Sequence, residues 1–313
     1  MKKLFLPLLC GLSFMACVDR DYDLGDVSTD DIAIGDDESL FEIPLTTIRV
    51  FASDLHDGSA DLGALLVKAD TWLPAQLPDG ADCVEIARLD ESAYGDRLFD
   101  ALLAEMGSNP AKLDAMADLI YADHRAEFGP LLGVSTGNET LFKTTFKRLY
   151  ASDREVLARL GEQFRDYFSH ELRIEPLRYD IGRIDISDEV VDMLADNLDP
   201  QGTPDPKNTL HLAGTVDNRL PLSLHIEPNL LSGGVSLLDF GADIAAERAD
   251  NAIEATERTR IFAEELRLLV DRTQIEIPVR LDRYYPGREY ADREPQLEIR
   301  LRLIKRGALK LDL

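Results

Sequence analysis

Gly133-Val134-Ser135-Thr136-Gly137 has the spacing of a nucleophile elbow, a sharp turn that lifts a serine above a sheet beside a base. Such an elbow needs a buried strand before it and a helix after it. A helix is expected to follow, but the preceding residues read as the end of another helix at Gly129-Pro130, with only Leu131-Leu132 as strand material. An acid and a histidine would have to come later in the chain, which leaves His170, His211 and His225 as bases with nothing to choose between them. The five histidines, His56, His124, His170, His211 and His225, form no i, i+4 pair and no H-E-x-x-H, so zinc has no local signature. Asp19, Asp21, Asp23 and Asp30 fall at the first, third, fifth and twelfth places of a calcium loop. Leu24 stands where that loop needs glycine, and Asp30 where it needs a bidentate glutamate. No G-x-G-x-x-G and no P-loop is present, so no cofactor is expected. Carboxylates abound, yet a glycosidase pair is defined by separation in space, which spacing along the chain does not supply.

The residues that best fit binding are Tyr284, Tyr285, Arg288 and Tyr290, in an aromatic turn between two expected strands. Tyrosines with an arginine on a loop stack on sugar rings or anchor a protein partner, and they also serve simply to cover the end of a sheet. Trp72, the lone tryptophan, is open to the same two readings. The turn lies in a locally basic stretch: Arg272 to Leu313 carries ten basic and seven acidic side chains.

The chain opens Met1-Lys2-Lys3, continues as an apolar run of about a dozen residues and reaches Ala16-Cys17 before its first acidic side chain. A basic start, a short apolar stretch and a small residue at the break describe a secretory leader, too short to span a hydrocarbon core of about 30 Å comfortably. A cysteine directly after the small residue makes Phe14-Met15-Ala16-Cys17 resemble the lipobox of bacterial lipoproteins, with Phe14 in place of the usual aliphatic residue. The resemblance implies that Cys17 is acylated and becomes the new amino terminus; Cys10, behind bulky Leu9, is a poor competitor. Several acyl chains at roughly 0.8 kcal/mol per methylene hold a domain at a membrane. From Asp19 to Glu42 ten acidic side chains face one Arg20, which reads as a self-repelling, solvated tether. Acidic residues behind a lipidated cysteine are similar to the export signal of surface lipoproteins of Bacteroidota-type bacteria, which implies display on the outer face of the outer membrane.

The formal charge is −25, and loss of Lys2 and Lys3 with the leader takes it to −27. Such acidity argues against nucleic acid and anionic membrane surfaces as partners, because phosphates need clustered Lys and Arg. With Cys17 given to lipid, Cys83 alone remains and no internal disulfide can form. Stability must come from packing, which a 45% hydrophobic composition supplies. Cys83 opens a run to Leu89 that reads as a strand, where a thiol is inert.

The elements that must position these residues follow from hydrophobic period. Phe41 to Val50 reads as an edge strand, since Pro44 cannot donate to a ladder. A helix is expected near Asp61 to Lys68. From about Ser92 to Glu171 the period is helical: Asn109-Pro110 starts a helix that Gly129 stops, and Ser152 with Glu155 forms a capping box for another. Short connections imply a bundle of helical hairpins. Beyond Leu172 the period drops to two around Leu177, Leu210, Leu222, Ile275 and Leu297, interrupted by a helix over 187–197 and another expected within 245–271. Strict alternation means one wet face, hence antiparallel pairing.

The expectation is an α+β protein with a helical hairpin bundle in the middle and an antiparallel, β-sandwich-like C-terminal half. Its divisions are a signal peptide over 1–16, a lipidated acidic tether over 17–40, a mainly helical domain with an N-terminal strand over 41–171, and a β-rich domain over 172–313. The function read from these features is a lipid-anchored, non-enzymatic envelope protein that binds or assembles with a protein or glycan. A lipid or glycan carrier and a serine hydrolase using Ser135 are the alternatives.

Overall fold

The computed structural model describes residues 32–89, 91–184, 186–271, 273–288 and 294–311. Within them five helices form the expected bundle: α1 (Leu62–Trp72), α2 (Ser92–Ser108), α3 (Pro110–Leu132), α4 (Glu139–Leu149) and α5 (Arg154–Asp166). Four of the five starts are set by polar caps that satisfy the first free amides. Asp61 accepts from Ala64, Asn109 from Ala111 and Lys112, Asn138 from Leu141, and Asp153 from Glu155 and Val156. The cap of α5 is therefore Asp153, one residue later than the expected Ser152, whose hydroxyl turns back to the Arg148 carbonyl.

Gly129 does not stop α3. The helix continues through Pro130 and ends at Gly133, which takes the left-handed φ of 65° that only glycine adopts without strain. Gly129 serves a close approach instead: a Cβ there would lie 2.7 Å from the Thr136 methyl. Helix α3 packs on α1, α2, α4 and α5. An aromatic cluster fills the centre, with Trp72 edge-on to Phe164 at 6.5 Å and to His124 at 6.2 Å, and Phe128 edge-on to Phe146 at 5.9 Å. Such pairs add roughly 0.5–1.5 kcal/mol each beyond their buried area.

The strands are β1 (Ile32–Ile34), β2 (Leu40–Val50), β3 (Val84–Glu85), β4 (Leu177–Gly182), β5 (Thr209–Asn218), β6 (Leu222–Ile226), β7 (Asn229–Ser232) and β8 (Val235–Asp239). They continue with β9 (Ala242–Ile244), β10 (Arg248–Ile253), β11 (Arg260–Ile261), β12 (Thr273–Ile277), β13 (Val279–Tyr284), β14 (Leu297–Arg306) and β15 (Leu309–Leu311). Helices α6 (Asp188–Asp196) and α7 (Ala263–Asp271) complete the half, α6 capped by Ser187. Every pairing among the described strands is antiparallel, so the fold is α+β.

One sheet runs β10-β5-β14-β2, with β11 on the end of β5; the others run β4-β12-β7-β8, β3-β13-β6-β9 and β1-β15. Strand β2 lies at an edge, as Pro44 requires, and the register to β14 shifts beside it. Two divisions of the chain need correction. The strand ahead of the helices belongs with the β-rich half, because β2 pairs along all of β14 and β3 pairs with β13. The acidic stretch before residue 40 is also not all tether: Ile32–Ile34 pairs with Leu309–Leu311, and Asp36 folds a turn through Ser39 and the Glu38 amide. These hydrogen bonds hold the Asp36 carboxyl below the usual carboxylate range. The helix expected in 245–271 forms only over α7. Glu247 and Asp250 take φ values of 47° and 60°, which no helix accommodates, and β10 forms there instead.

Two prolines shape the rest. The run from Ile275 to Leu281, uniform in its alternation, is two strands divided at Pro278, and its neighbour is divided at Pro228. The register nevertheless passes unbroken through the division, since Val279 faces Ile226 on one side and Glu276 faces Asn229 on the other. The next strand does the same, with Ala242 opposite Ile226 and Asp239 opposite Asn229. A single three-stranded ribbon is thus bent into two sheets at Pro278, Glu227-Pro228 and Phe240-Gly241. Proline has no N–H to give, so each bend falls where the ladder is already interrupted.

Along β14 the core-facing positions are Leu297, Ile299, Leu301, Leu303 and then Lys305, which is wholly buried. Its ammonium donates to the Arg306 carbonyl at 2.5 Å, with Asn208 Oδ1 at 3.3 Å. Burial pulls its pKa down to about 8, against the attraction of Asp199. In the unfolded chain the amine titrates near 10.5, so the unfolded state holds the extra proton between pH 8 and 10.5 and stability rises with pH across that window. In urea unfolding, the wild type should gain up to about 3 kcal/mol on Lys305→Met between those limits. A gap that stays flat with pH would contradict a buried amine.

Candidate functional site

The bend of the ribbon opens into a groove of about 800 Å³. One wall is the bend itself, from Glu227 to Asn229 and from Asp239 to Asp243, with Pro278 behind it. The other wall is the end of β10 and the segment that follows, from Ala252 to Thr259. Alternation places the polar side chains in it: along β9 Asp243 points outward while Ala242 and Ile244 enter the core.

His225 stands at the centre of the first wall. Its Nδ1 lies 2.6 Å from Asp243 Oδ1, and its Nε2 lies 3.5 Å from Glu227 Oε1. Gly241 lets the ring sit close, since a Cβ there would meet Nε2 at 3.3 Å. Asp243 is 93% exposed, so the pair is an orienting contact in water and contributes little to stability. His211 is held near the opposite wall: its Nδ1 lies 2.9 Å from the Thr256 carbonyl and must carry the hydrogen there.

At the apex, where β9 passes into β10, buried Asn251 bridges the two strands. Its Oδ1 accepts from the Ala245 amide at 2.9 Å, and its Nδ2 donates to the Val216 and Arg248 carbonyls at 3.1 and 2.9 Å. Beyond this bridge β9 belongs to one sheet and β10 to another, and the groove opens beside both. The groove presents Glu227, Asp239, Asp243 and Glu254 against Arg258 and His225. Among the described residues no group of three or more His, Cys, Asp or Glu is arranged to hold a metal ion. Polar and charged walls of this kind suit a hydrophilic ligand better than an acyl chain.

Apart from His225, and His211 beside the opposite wall, the residues singled out from the sequence lie elsewhere. Tyr284 is 2% exposed, and its hydroxyl donates to Asp70 Oδ1 at 2.6 Å, fastening β13 to α1. Tyr285 and Arg288 are together, the guanidinium 4.5 Å from the ring centre, and Arg288 also pairs with Glu247. Tyr290 lies outside the described residues, as do Cys17, Cys10 and the aspartates of the calcium-like spacing. Trp72 is a core residue of the bundle.

Ser135 does not sit on an elbow. Helix α3 continues to Gly133, no strand precedes the turn, and the Ser135 hydroxyl accepts from the Gly137 amide at 3.3 Å. Among the described residues no histidine bonds to it, so the glycines of this segment are those of a helix-to-helix loop. Cys83 is half-buried, and burial with the charge of Asp82 raises its thiol pKa, the opposite of an activated nucleophile. Its run forms a strand only at Val84–Glu85. Of the groove's polar residues, His225 is legible in the sequence only as a candidate base, and the others are ordinary outward-facing polar positions. The available signals were Pro228 and Pro278 inside two well-patterned strands, with Gly241 beside a third.

No protein-family model matches the chain, and no curated protein matches it. A crystal structure of a protein from Parabacteroides distasonis, described as secreted, is similar over 42% of this chain and 38% of its own, at 15% identity and a TM-score of 0.28.

Replacing Asn251 by alanine strips buried backbone groups of their partners and should cost about 3 kcal/mol. Asp243→Asn should leave stability essentially unchanged, as chemical denaturation will read. Equal effects would show that the apex bridge does not hold the strands.

Proposed function

We propose that the chain is exported, carried on lipid at Cys17 in the outer membrane, and acts there as a non-enzymatic binding component through the groove at the ribbon bend. The observation that carries this reading is the cysteine directly behind a small residue at the close of a short apolar leader, in Phe14-Met15-Ala16-Cys17. Two features support it. No helix among the described residues is long and apolar enough to cross a membrane, so attachment by acyl chains fits this chain. The first described residue, Ile32, is paired to the C-terminal strand fifteen positions after Cys17, a distance of at most about 50 Å of extended chain. The body of the protein would therefore stand off the bilayer on a short acidic leash.

A binding role, rather than a catalytic one, is supported by the environment of the reactive residues. Ser135 lacks a base and Cys83 lacks activation. The acidic groove, with walls from three sheets, offers a surface for recognition.

Cells grown with labelled palmitate should incorporate the label into the wild-type chain and not into Cys17→Ser, and the wild type should partition with outer-membrane fragments. Unlabelled protein, or release of the wild type into aqueous buffer, would remove this reading.

A further inference from the structure

We propose that the groove takes an extended, basic polypeptide as an added strand between β9 and β10; this rests on the reading of the chain as a binding protein and names its partner class. Strand β9 pairs with β6 on one side, and β10 pairs with β5 on one side. Among the described residues, no strand pairs with the outer edge of either. A free edge is a row of backbone donors and acceptors without partners, and an extended segment satisfies them by adding a strand.

The two edges face a common space. Asn251 holds them together at the apex, and beyond it Ala242 and Asp243 line one side of the groove while Ala252 and Glu254 line the other. An inserted strand would meet β9 on one edge and β10 on the other, joining two sheets that otherwise have separate borders. With three residues in β9 and six in β10, the insert is four to six residues long, about 13–20 Å.

The charge of the groove sets the sequence of that insert. Glu227, Asp239, Asp243 and Glu254 outnumber Arg258, and His225 is already engaged by two of them. Side chains of an extended strand alternate between faces, so a lysine or arginine at every second position meets the carboxylates. The formal charge of −25 adds long-range attraction for a cationic segment.

The test is fluorescence anisotropy with the full-length chain in mild detergent and a labelled octapeptide alternating lysine and threonine. The peptide should bind, and its glutamate–threonine counterpart should not. N-methylation of alternate peptide amides, made in both registers, should weaken binding at least tenfold in one register or both. Glu227→Lys combined with Glu254→Lys should also weaken binding at least tenfold while leaving the thermal midpoint in place. No binding, binding of both methylated peptides as tight as that of the parent peptide, or equal binding of spermidine, would overturn strand insertion in favour of no site or of simple charge capture. Palmitate labelling of the same protein keeps the two claims apart. Binding without label removes the anchoring and leaves the groove, whereas label without binding removes the groove and leaves the anchoring.

Discussion

The absence of an N–H at Pro228 and Pro278 is the constraint on which the shape of the β-rich half depends. Both prolines fall inside a ribbon whose register carries through the division, so the ribbon bends there while keeping its pairing on either side. The bend puts β6, β9 and β13 in one sheet and β7, β8 and β12 in another, and it brings His225, Glu227 and Asp243 to one wall of a groove.

The rest of the molecule holds this corner in place. Strand β14 lies between β5 and β2, so the beginning of the described chain and its end are zipped into the same sheet. Tyr284 reaches from β13 to Asp70 on α1, and β3 reaches from the connection ahead of α2 to β13. One hydrophobic core runs through both the bundle and the sheets. The helical hairpins thus act as a buttress for the ribbon, and β9 and β10 end their sheets at the groove.

Much of this architecture is legible in the sequence. The helix start at Asn109 follows from capping chemistry, which is local and strong, and the start of α5 is legible to within one residue, at Ser152 where the cap is Asp153. The strands of the C-terminal half follow from alternation at Leu210, Leu222, Ile275 and Leu297. What escapes is decided by tertiary contacts. Gly129 resembles a stop signal, yet its missing Cβ makes room for Thr136. Ala249 to Ile253 has helical spacing, yet the left-handed turns at Glu247 and Asp250 commit it to pair with β5. Lys305 occupies a core position that its charge argues against, because backbone carbonyls and Asn208 surround its amine. The aromatic turn at Tyr284 reads as a contact surface, yet its first tyrosine is spent inside. The groove belongs to this class, since it is made by a bend and by edges that meet only in three dimensions.

Native-state hydrogen exchange tests the central claim most directly, namely that β9 and β10 part beyond Asn251 and leave their facing edges unpaired. Amides of β5 and β14 should exchange at the slow, global limit, while in β9 and β10 the amides that turn toward the groove should exchange orders of magnitude faster than those bonded to β6 and β5. Uniform slow exchange along both β9 and β10 would mean that the two strands pair with each other, which would close the corner and contradict the account.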